Sequence, residues 1–374
     1  MKRTLVIAGT RPEGIKLAPV IRALAARPGD FEVRLCVTGQ HRDMLHPILE
    51  FFGLAPDFDL GLMQPGQDLF DVTASAVLSL RPVLSEVKPE LVVVQGDTTT
   101  ALAGALAGFY AGAQVAHVEA GLRTGQRRAP FPEEMNRVLI SRLADFHFAP
   151  TPAAQANLHA EGLTTQVHVV GNTVIDALLW AQSLVTTQSS QAIASRFAFL
   201  VPTRRMVLVT GHRRESFGAP FERICRALRT LAETFPQVDF VYPVHLNPHV
   251  REPVERLLSS VPSIHLVEPV DYPTLVWLLS RCTFVITDSG GIQEEAPTLG
   301  KPVLVTREVT ERPEGIAAGS AKLVGTDEQR IVLEASKLLN DALAYEAMAR
   351  VRNPYGDGKA SEAIAQVLAT AERR

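Results

Sequence analysis

Residues 91–121 read LVVVQGDTTTALAGALAGFYAGAQVAHVEAG, and this stretch decides the fold class. Two apolar runs, Leu91–Asp97 and Gln114–Ala120, flank Thr99–Ala111, a segment of helical length. Near-continuous apolar strands separated by a helix are the pattern of a parallel sheet covered on both faces. Upstream the alternation continues through strands Thr4–Gly9 and Val33–Gly39 and helices Ile15–Arg27, Asp43–Phe52 and Leu69–Val87. Downstream it runs through helix Glu133–Ala144 and strands Phe146–Pro150 and Val167–Gly171. A second strand set then begins: Met206–His212, Val238–His245, Ile264–Val270, Thr283–Asp288, Pro302–Thr306 and Ala321–Val324. Leu184–Ala194 is the most polar stretch and lies between the two sets. The chain therefore reads as α/β, with two Rossmann-like doubly wound domains and a boundary near 171–200. The C-terminal stretch GDGKASEAIAQVLATAERR reads as a closing helix capped near Ser361.

Composition fits this reading. A 374-residue chain exceeds one ordinary domain. Hydrophobic residues at 46% and charged residues at 21% suit a packed core rather than disorder. Net charge of −3 argues against a nucleic-acid partner, which needs a clustered basic surface. No run of about 18 apolar residues spans a bilayer, and the apolar stretch of MKRTLVIAGTRPEG is too short for a signal peptide. Cys36, Cys225 and Cys282 are scattered and suit a reducing compartment. The expectation is a cytoplasmic enzyme with no membrane or nucleic-acid partner.

Ligands of open α/β sheets bind beyond the carboxyl ends of the strands, and the polar residues of this chain gather there. GTRPEGIK, residues 9–16, lacks both the Walker lysine–hydroxyl pair and GxGxxG, so neither a P-loop ATPase nor an NAD enzyme is supported. Arg11 and Lys16 still lie where a helix start favours an anion. Asp97 follows the third strand and on its own fits an N-cap, as do Thr98–Thr100. Glu119 ends an apolar strand, where a carboxylate needs a partner or a task; Arg123 is the candidate partner. In RRAPFPEEMNR, a helix start with an i,i+4 pair from Glu133 to Arg137 explains the charges equally well.

In the second half, TGHRRESFG puts His212 at a strand end beside Arg213 and Arg214. In TDSGGIQEEAPTLGKP, Ser289, Gly290 and Gly291 open a helix with small residues that let phosphate approach, and Glu295 follows one turn on to meet a ribose. Arg307 and Arg312 are placed to meet the same anion. His245 and His249 have metal-pair spacing, but Pro248 intervenes and the HExxH glutamate is missing, so no metal site is expected.

Taken together, GTRPE, GDTTT, HVEAGLRTG, PFPEEMNR, GNTVID, TGHRRES, DSGGIQEEAPTLGKPV, TERPEG and NPYGDGKAS resemble the non-hydrolysing UDP-N-acetylglucosamine 2-epimerases, in order from about Thr4 to Ala360. The resemblance implies a glycosyltransferase-B-like fold with the active site in the interdomain cleft. It implies an N-terminal domain of residues 1–171 joined by the C-terminal helix 357–374, a UDP-binding domain of residues 172–356, and a homodimer. It further implies reversible conversion of UDP-GlcNAc to UDP-ManNAc for cell-surface polysaccharide, without NAD or metal. Arg11, Lys16, His212, Ser289, Gly290, Gly291, Glu295 and Arg312 match UDP-binding positions. Asp97, Glu119 and Glu133 match the catalytic carboxylates, with Arg137 and His212 also implicated. Val270 and Leu275 stand where relatives carry Gln and Phe against the uracil. Gln40 and His41 match part of an allosteric site whose accompanying arginine is Gly66 here. A hydrolysing 2-epimerase and an inverting glycosyltransferase are the alternatives on the same fold.

Overall fold

The run KRTLVIA forms the first strand, β1 (Lys2–Ala8), and the first sheet grows on both sides of it in a computed structural model describing residues 1–40, 42–64 and 66–372. The other strands of this sheet are β2 (Phe31–Val37), β3 (Phe58–Asp59), β4 (Leu91–Gln95), β5 (Gln114–Val118), β6 (Phe146–Ala149) and β7 (Val167–Val169). All pair in parallel, in the order β3-β2-β1-β4-β5-β6-β7. Two-residue β3 carries too little periodicity to be seen in sequence. β2, β4 and β7 end short of the expected Gly39, Asp97 and Gly171, where glycines with positive φ turn the chain: Gly39 (φ 76), Gly96 (φ 73) and Gly171 (φ 94).

Alternate residues of the sheet face opposite layers. Val6, Ala8, Leu35, Val37, Val93, Ala116, Phe146 and Phe148 share a core with helices Arg11–Ala25 and Ala360–Thr370. Leu5, Ile7, Cys36, Val92, Val94 and Val115 meet helices Leu69–Val87 and Thr99–Tyr110. Each fully buried aliphatic side chain contributes about 1.5–3 kcal/mol. The GALAG stretch lets the second helix lie close to β4: a Cβ on Gly108 would fall 2.9 Å from Val92.

The second sheet comprises β8 (Arg205–Thr210), β9 (Val238–Pro243), β10 (Ile264–Val267), β11 (Phe284–Thr287), β12 (Val303–Val305) and β13 (Ala321–Leu323). It too is parallel, in the order β10-β9-β8-β11-β12-β13. Its core brings Phe240, Phe284 and Ile286 together with Phe221, Leu228 and Leu231 of helix Ala219–Thr234.

The chain divides into two compact units, Met1–Leu179 with the segment from Gly356 onward, and Trp180–Tyr355. The polar stretch Leu184–Ala194 is helical: helix Thr173–Leu184 passes through a π-turn (Val185–Ser189) into helix Ser190–Arg196. Buried Val185 and Ile193 supply the apolar side that its Ser, Thr and Gln residues conceal. The last helix starts at Ala360, one residue before the expected cap at Ser361. Its start is held by the distant Asp176, whose carboxylate accepts from the N–H groups of Ala360 (3.3 Å) and Ser361 (2.7 Å). Its far end accepts Lys2 Nζ at the carbonyls of Leu368 (2.6 Å) and Ala371 (2.7 Å).

Candidate active site

In the first unit the strand order reverses between β1 and β4, and the candidate residues sit just beyond β1, β4 and β5. The start of helix Arg11–Ala25, RPEG, is fixed by Glu13, which is 1% exposed. Its carboxylate accepts from the N–H of Gly9 (3.1 Å) and Thr10 (2.7 Å) and from the Thr98 hydroxyl (2.8 Å). Burial raises the Glu13 pKa against these lowering hydrogen bonds. One glutamate thus ties the helix bearing Arg11 and Lys16 to the turn bearing Asp97. Thr98 also caps the following helix by accepting from Ala101 N–H at 3.0 Å. Arg11 itself is exposed.

Glu119 does not pair with Arg123. Its carboxylate is bound by Lys16, and both are largely buried. Arg123 makes a two-pronged pair with Glu161 (2.6 and 3.0 Å). The backbone decides this outcome. Glu119 sits at φ 65, a left-handed conformation costly for a residue with a Cβ. Gly121 follows at φ 89, packed so tightly that an added Cβ would lie 2.2 Å from the Ala154 carbonyl oxygen. Strain held in place by surrounding packing is typical of functional turns.

Arg137 pairs with Asp97 Oδ2 (2.5 Å) and Glu134 (3.3 Å), rather than with Glu133 at i,i+4. Beside it, Asn136 donates to the main-chain carbonyl of Asp97 at 2.9 Å. Glu134 is 3% exposed and gathers the N–H groups of Thr124 (3.0 Å) and Gly125 (2.9 Å). Glu133, half-buried, has no hydrogen-bond or ion-pair partner among the described residues. The helix Glu133–Leu143 therefore spends Glu134, Asn136 and Arg137 on holding the turns and leaves Glu133 uncommitted.

Beneath this cluster, buried His117 of β5 bonds the Gly96 carbonyl through Nε2 at 2.7 Å, so that nitrogen carries the proton. Burial pushes its pKa down to about 3, and that of His147 opposite it on β6 to about 4. Glu13, Asn136 and His117 carry no signal of their own in the sequence, and Glu134 reads there only as a charge at a helix start. All four lie inside motifs that carry the resemblance, GTRPE, HVEAGLRTG and PFPEEMNR, so nearness to Arg11, Asp97 and Glu119 is their only signal. Gln40 accepts from the Thr100 hydroxyl at 2.9 Å; His41 lies outside the described residues.

In the second unit the order reverses between β8 and β11. Beyond β8, His212 stacks on His245 (centroids 5.7 Å apart, 16° between planes). Beyond β11, buried Asp288 accepts the N–H groups of His212 (2.7 Å) and Arg213 (2.8 Å). Ser289 precedes helix Gly290–Glu295. Gly290 and Gly291 have no positive φ, and an added Cβ would meet nothing nearer than 3.8 Å at either. Neither the backbone nor internal packing calls for glycine at these positions, which leaves close approach by something outside the chain as the reason.

Arg312 is bound to Glu294, which is 3% exposed. Its carbonyl accepts from the Tyr355 hydroxyl at 3.1 Å, and that hydroxyl accepts from Gly315 N–H at 3.0 Å. Arg307 is buried and pairs with the exposed Glu215 (2.6 Å). Glu295 is buried, and Val270 and Leu275 are half-buried. The three cysteines are buried, with thiol pKa values pushed up to about 12 by burial. No helix among the described residues is long and apolar enough to cross a membrane.

Comparison with known proteins gives a consistent picture. The family model described as UDP-N-acetylglucosamine 2-epimerase matches residues 22–369. The chain is 52% identical over 369 residues to the UDP-N-acetylglucosamine 2-epimerase of Escherichia coli K12, covering 98% of both chains. It is 48% identical to the putative enzyme of Thermotoga maritima, covering 98% of this chain and 96% of that one. Among solved structures, UDP-GlcNAc 2-epimerase from Neisseria meningitidis bound to UDP-GlcNAc matches with TM-score 0.90 and 44% identity, covering 99% of this chain and 100% of that one. The Methanocaldococcus jannaschii enzyme in complex with UDP-GlcNAc and UDP matches with TM-score 0.80 and 33% identity, covering 99% and 100%.

Proposed function

The chain belongs to the non-hydrolysing UDP-N-acetylglucosamine 2-epimerase family, and on that premise we propose how its residues divide the work of an isomerase that interconverts UDP-GlcNAc and UDP-ManNAc. Its two parallel-sheet, Rossmann-like units have the glycosyltransferase-B-like architecture of these relatives. The hydrogen at sugar C2 is not next to a carbonyl, so no side chain removes it directly. It becomes acidic as the C1–O bond to UDP breaks and positive charge grows at C1. The route is therefore elimination of UDP to a 2-acetamidoglucal, followed by re-addition with a proton delivered to the other face.

The observation that carries this reading is the pairing of Asp97 with Arg137 and of Glu119 with Lys16, beyond neighbouring strands β4 and β5. Inversion at C2 needs proton exchange on two faces, which calls for more than one acid–base group. Asp97 and Glu119, with Glu133 uncommitted nearby in sequence to Arg137, supply that number. Arg11, Lys16, His212, Ser289, Gly290, Gly291, Glu295 and Arg312 bind UDP. Donors aimed at the departing diphosphate are worth roughly 3–4 kcal/mol each in such sites. Val270 and Leu275 offer the base an aliphatic wall, and Gln40 and His41 mark a second nucleotide-sugar site. NAD has no part in this scheme, because elimination and re-addition pass through no oxidised intermediate, and the positive charge that meets the departing diphosphate comes from arginine, lysine and histidine side chains and helix-start N–H groups rather than from a metal.

We place the enzyme in the cytoplasm as a homodimer, supplying N-acetylmannosamine units for polysaccharide. Phe109 (56% exposed) and Tyr110 (71%), a ring pair with centroids 6.3 Å apart at the end of helix Thr99–Tyr110, support pairing of two copies there. Proton NMR with UDP-GlcNAc in D2O and no added NAD tests the reaction. UDP-ManNAc carrying deuterium at C2 is expected. Free sugar plus UDP would instead assign the hydrolysing type, and an unchanged spectrum would overturn the reading.

A further inference from the structure

Asp288 is 2% exposed, and its two oxygens have unequal fates. Oδ2 accepts two main-chain N–H groups, from His212 (2.7 Å) and Arg213 (2.8 Å). Oδ1 is buried and makes no hydrogen bond among the described residues. A buried carboxylate oxygen without a donor is costly and calls for an explanation. The nearby donor is His212 Nδ1, 3.3 Å away yet outside hydrogen-bond geometry. The two main-chain N–H groups hold the carboxylate in place, and the strand ends on either side of it are themselves tied down. Tyr242, itself buried, donates to the Gly211 carbonyl at 3.1 Å, and the Thr210 and Thr287 hydroxyls bond at 2.5 Å across β8 and β11. The His212 side chain, by contrast, is 43% exposed and rests against the flat face of His245. A small turn of one ring completes the bond.

We propose that Asp288 is a positioning residue for His212: its Oδ1 accepts a hydrogen bond from Nδ1–H, which fixes the tautomer and turns Nε2 to the substrate. Apo geometry of such pairs is commonly loose and tightens in the complex. The consequence is chemical. With Nδ1–H bound to a carboxylate, the imidazole accepts a proton at Nε2 and, as a cation backed by Asp288, faces the negative charge that grows on departing UDP. The logic parallels the aspartate that orients the histidine of a serine-protease triad. The consequence for turnover rests on the reading that His212 serves the epimerase reaction; the hydrogen bond itself does not.

The substitution Asp288→Asn reverses the tautomer. The Asn carbonyl takes the two main-chain N–H groups that Oδ2 took, its NH2 then faces Nδ1, and the ring proton moves to Nε2. The experiment is 15N NMR of the intact enzyme labelled at histidine, free and saturated with UDP, with the His212 signals assigned by their loss in His212→Gln. The expected wild-type spectrum has Nδ1 protonated in the UDP complex. Asp288→Asn is expected to shift that proton to Nε2 and to lower kcat at least 30-fold, with KM and UDP affinity within threefold. Wild-type enzyme with Nδ1 unprotonated in the UDP complex would overturn the proposal even if the variant fails to fold. So would a folded Asp288→Asn enzyme with kcat within twofold of wild type, provided His212→Gln is impaired. If His212→Gln turns over normally, the functional role given to His212 falls, and the wild-type tautomer alone decides the hydrogen bond.

Discussion

Arg137 reaches back forty residues along the chain to bind Asp97 Oδ2 at 2.5 Å, and Asn136 holds the main chain of the same aspartate. A helix one strand away in sequence thus fixes both the carboxylate and the peptide that carries it. The arrangement makes Arg137 a support for a reacting group rather than a surface cation, since its side chain is only 12% exposed.

Arg137→Ala should therefore damage catalysis more than stability. Misplacing a reacting group by about 1 Å costs on the order of a hundredfold in rate. The partly buried ion pair adds roughly 1–3 kcal/mol to stability. Steady-state kinetics with urea unfolding checks both. A variant with near-normal kcat and large destabilisation would mean that Arg137 serves the fold alone.

Asp97→Asn tests the carboxylate itself. The amide keeps the shape and accepts from Arg137 through its oxygen, yet cannot exchange a proton at C2. Turnover should vanish while UDP affinity, measured by calorimetry, stays within about tenfold. Turnover near wild type would remove Asp97 from the acid–base role.

Gly290→Ala separates binding from folding. The new methyl meets no protein atom closer than 3.8 Å, and the backbone there needs no positive φ. Stability should hold or rise by up to about 1 kcal/mol, as alanine is preferred to glycine in a helix. UDP affinity should fall by more than tenfold, because the methyl occupies the space a phosphate oxygen needs. Unchanged affinity would place the diphosphate elsewhere.

Arg312→Ala should weaken UDP binding by roughly 1.5–3 kcal/mol, the range for a charge-assisted hydrogen bond. It also strips buried Glu294 of a cation, so thermal stability should drop as well. Glu294→Gln controls for that second effect: it should lower stability without the full loss of affinity. Equal affinity losses in both variants would mean that Arg312 acts only through its partner.

The sheets and the strand-end location of the polar residues were legible because both follow from local pattern: apolar runs of strand length, and loops at fixed ends of a parallel sheet. Partnerships were not. Nearness in sequence suggested Arg123 for Glu119 and Glu133 for Arg137, but the left-handed turn at Glu119 and the neighbouring strand ends bring in Lys16 and Asp97. Asp288 passed as the last residue of a strand, and its significance depends on the distance to a histidine 76 residues earlier. Ion pairs of this kind are set by topology, which a single sequence does not state residue by residue. The helical course of Leu184–Ala194 was hidden for another reason: two buried aliphatic residues are enough to seat a helix whose other positions are polar.

His117 and His147 give the fold an acid limit. Both are buried and neutral, with pKa values pushed down to about 3 and about 4, chiefly by desolvation. In the unfolded chain each returns to about 6.5. As pH falls below that value, the unfolded state binds protons that the folded state refuses, so stability is lost on acidification from about 6.5 downward. One such histidine costs about 2 kcal/mol between pH 7 and pH 5. His117→Gln keeps an N–H donor for the Gly96 carbonyl and removes one titrating site. Urea unfolding at pH 7 and pH 5 should therefore show a stability loss smaller by about 2 kcal/mol in the variant. Equal losses would mean that His117 already takes up its proton in the folded protein, and that the Gly96 carbonyl beneath Asp97 is held by a charged ring.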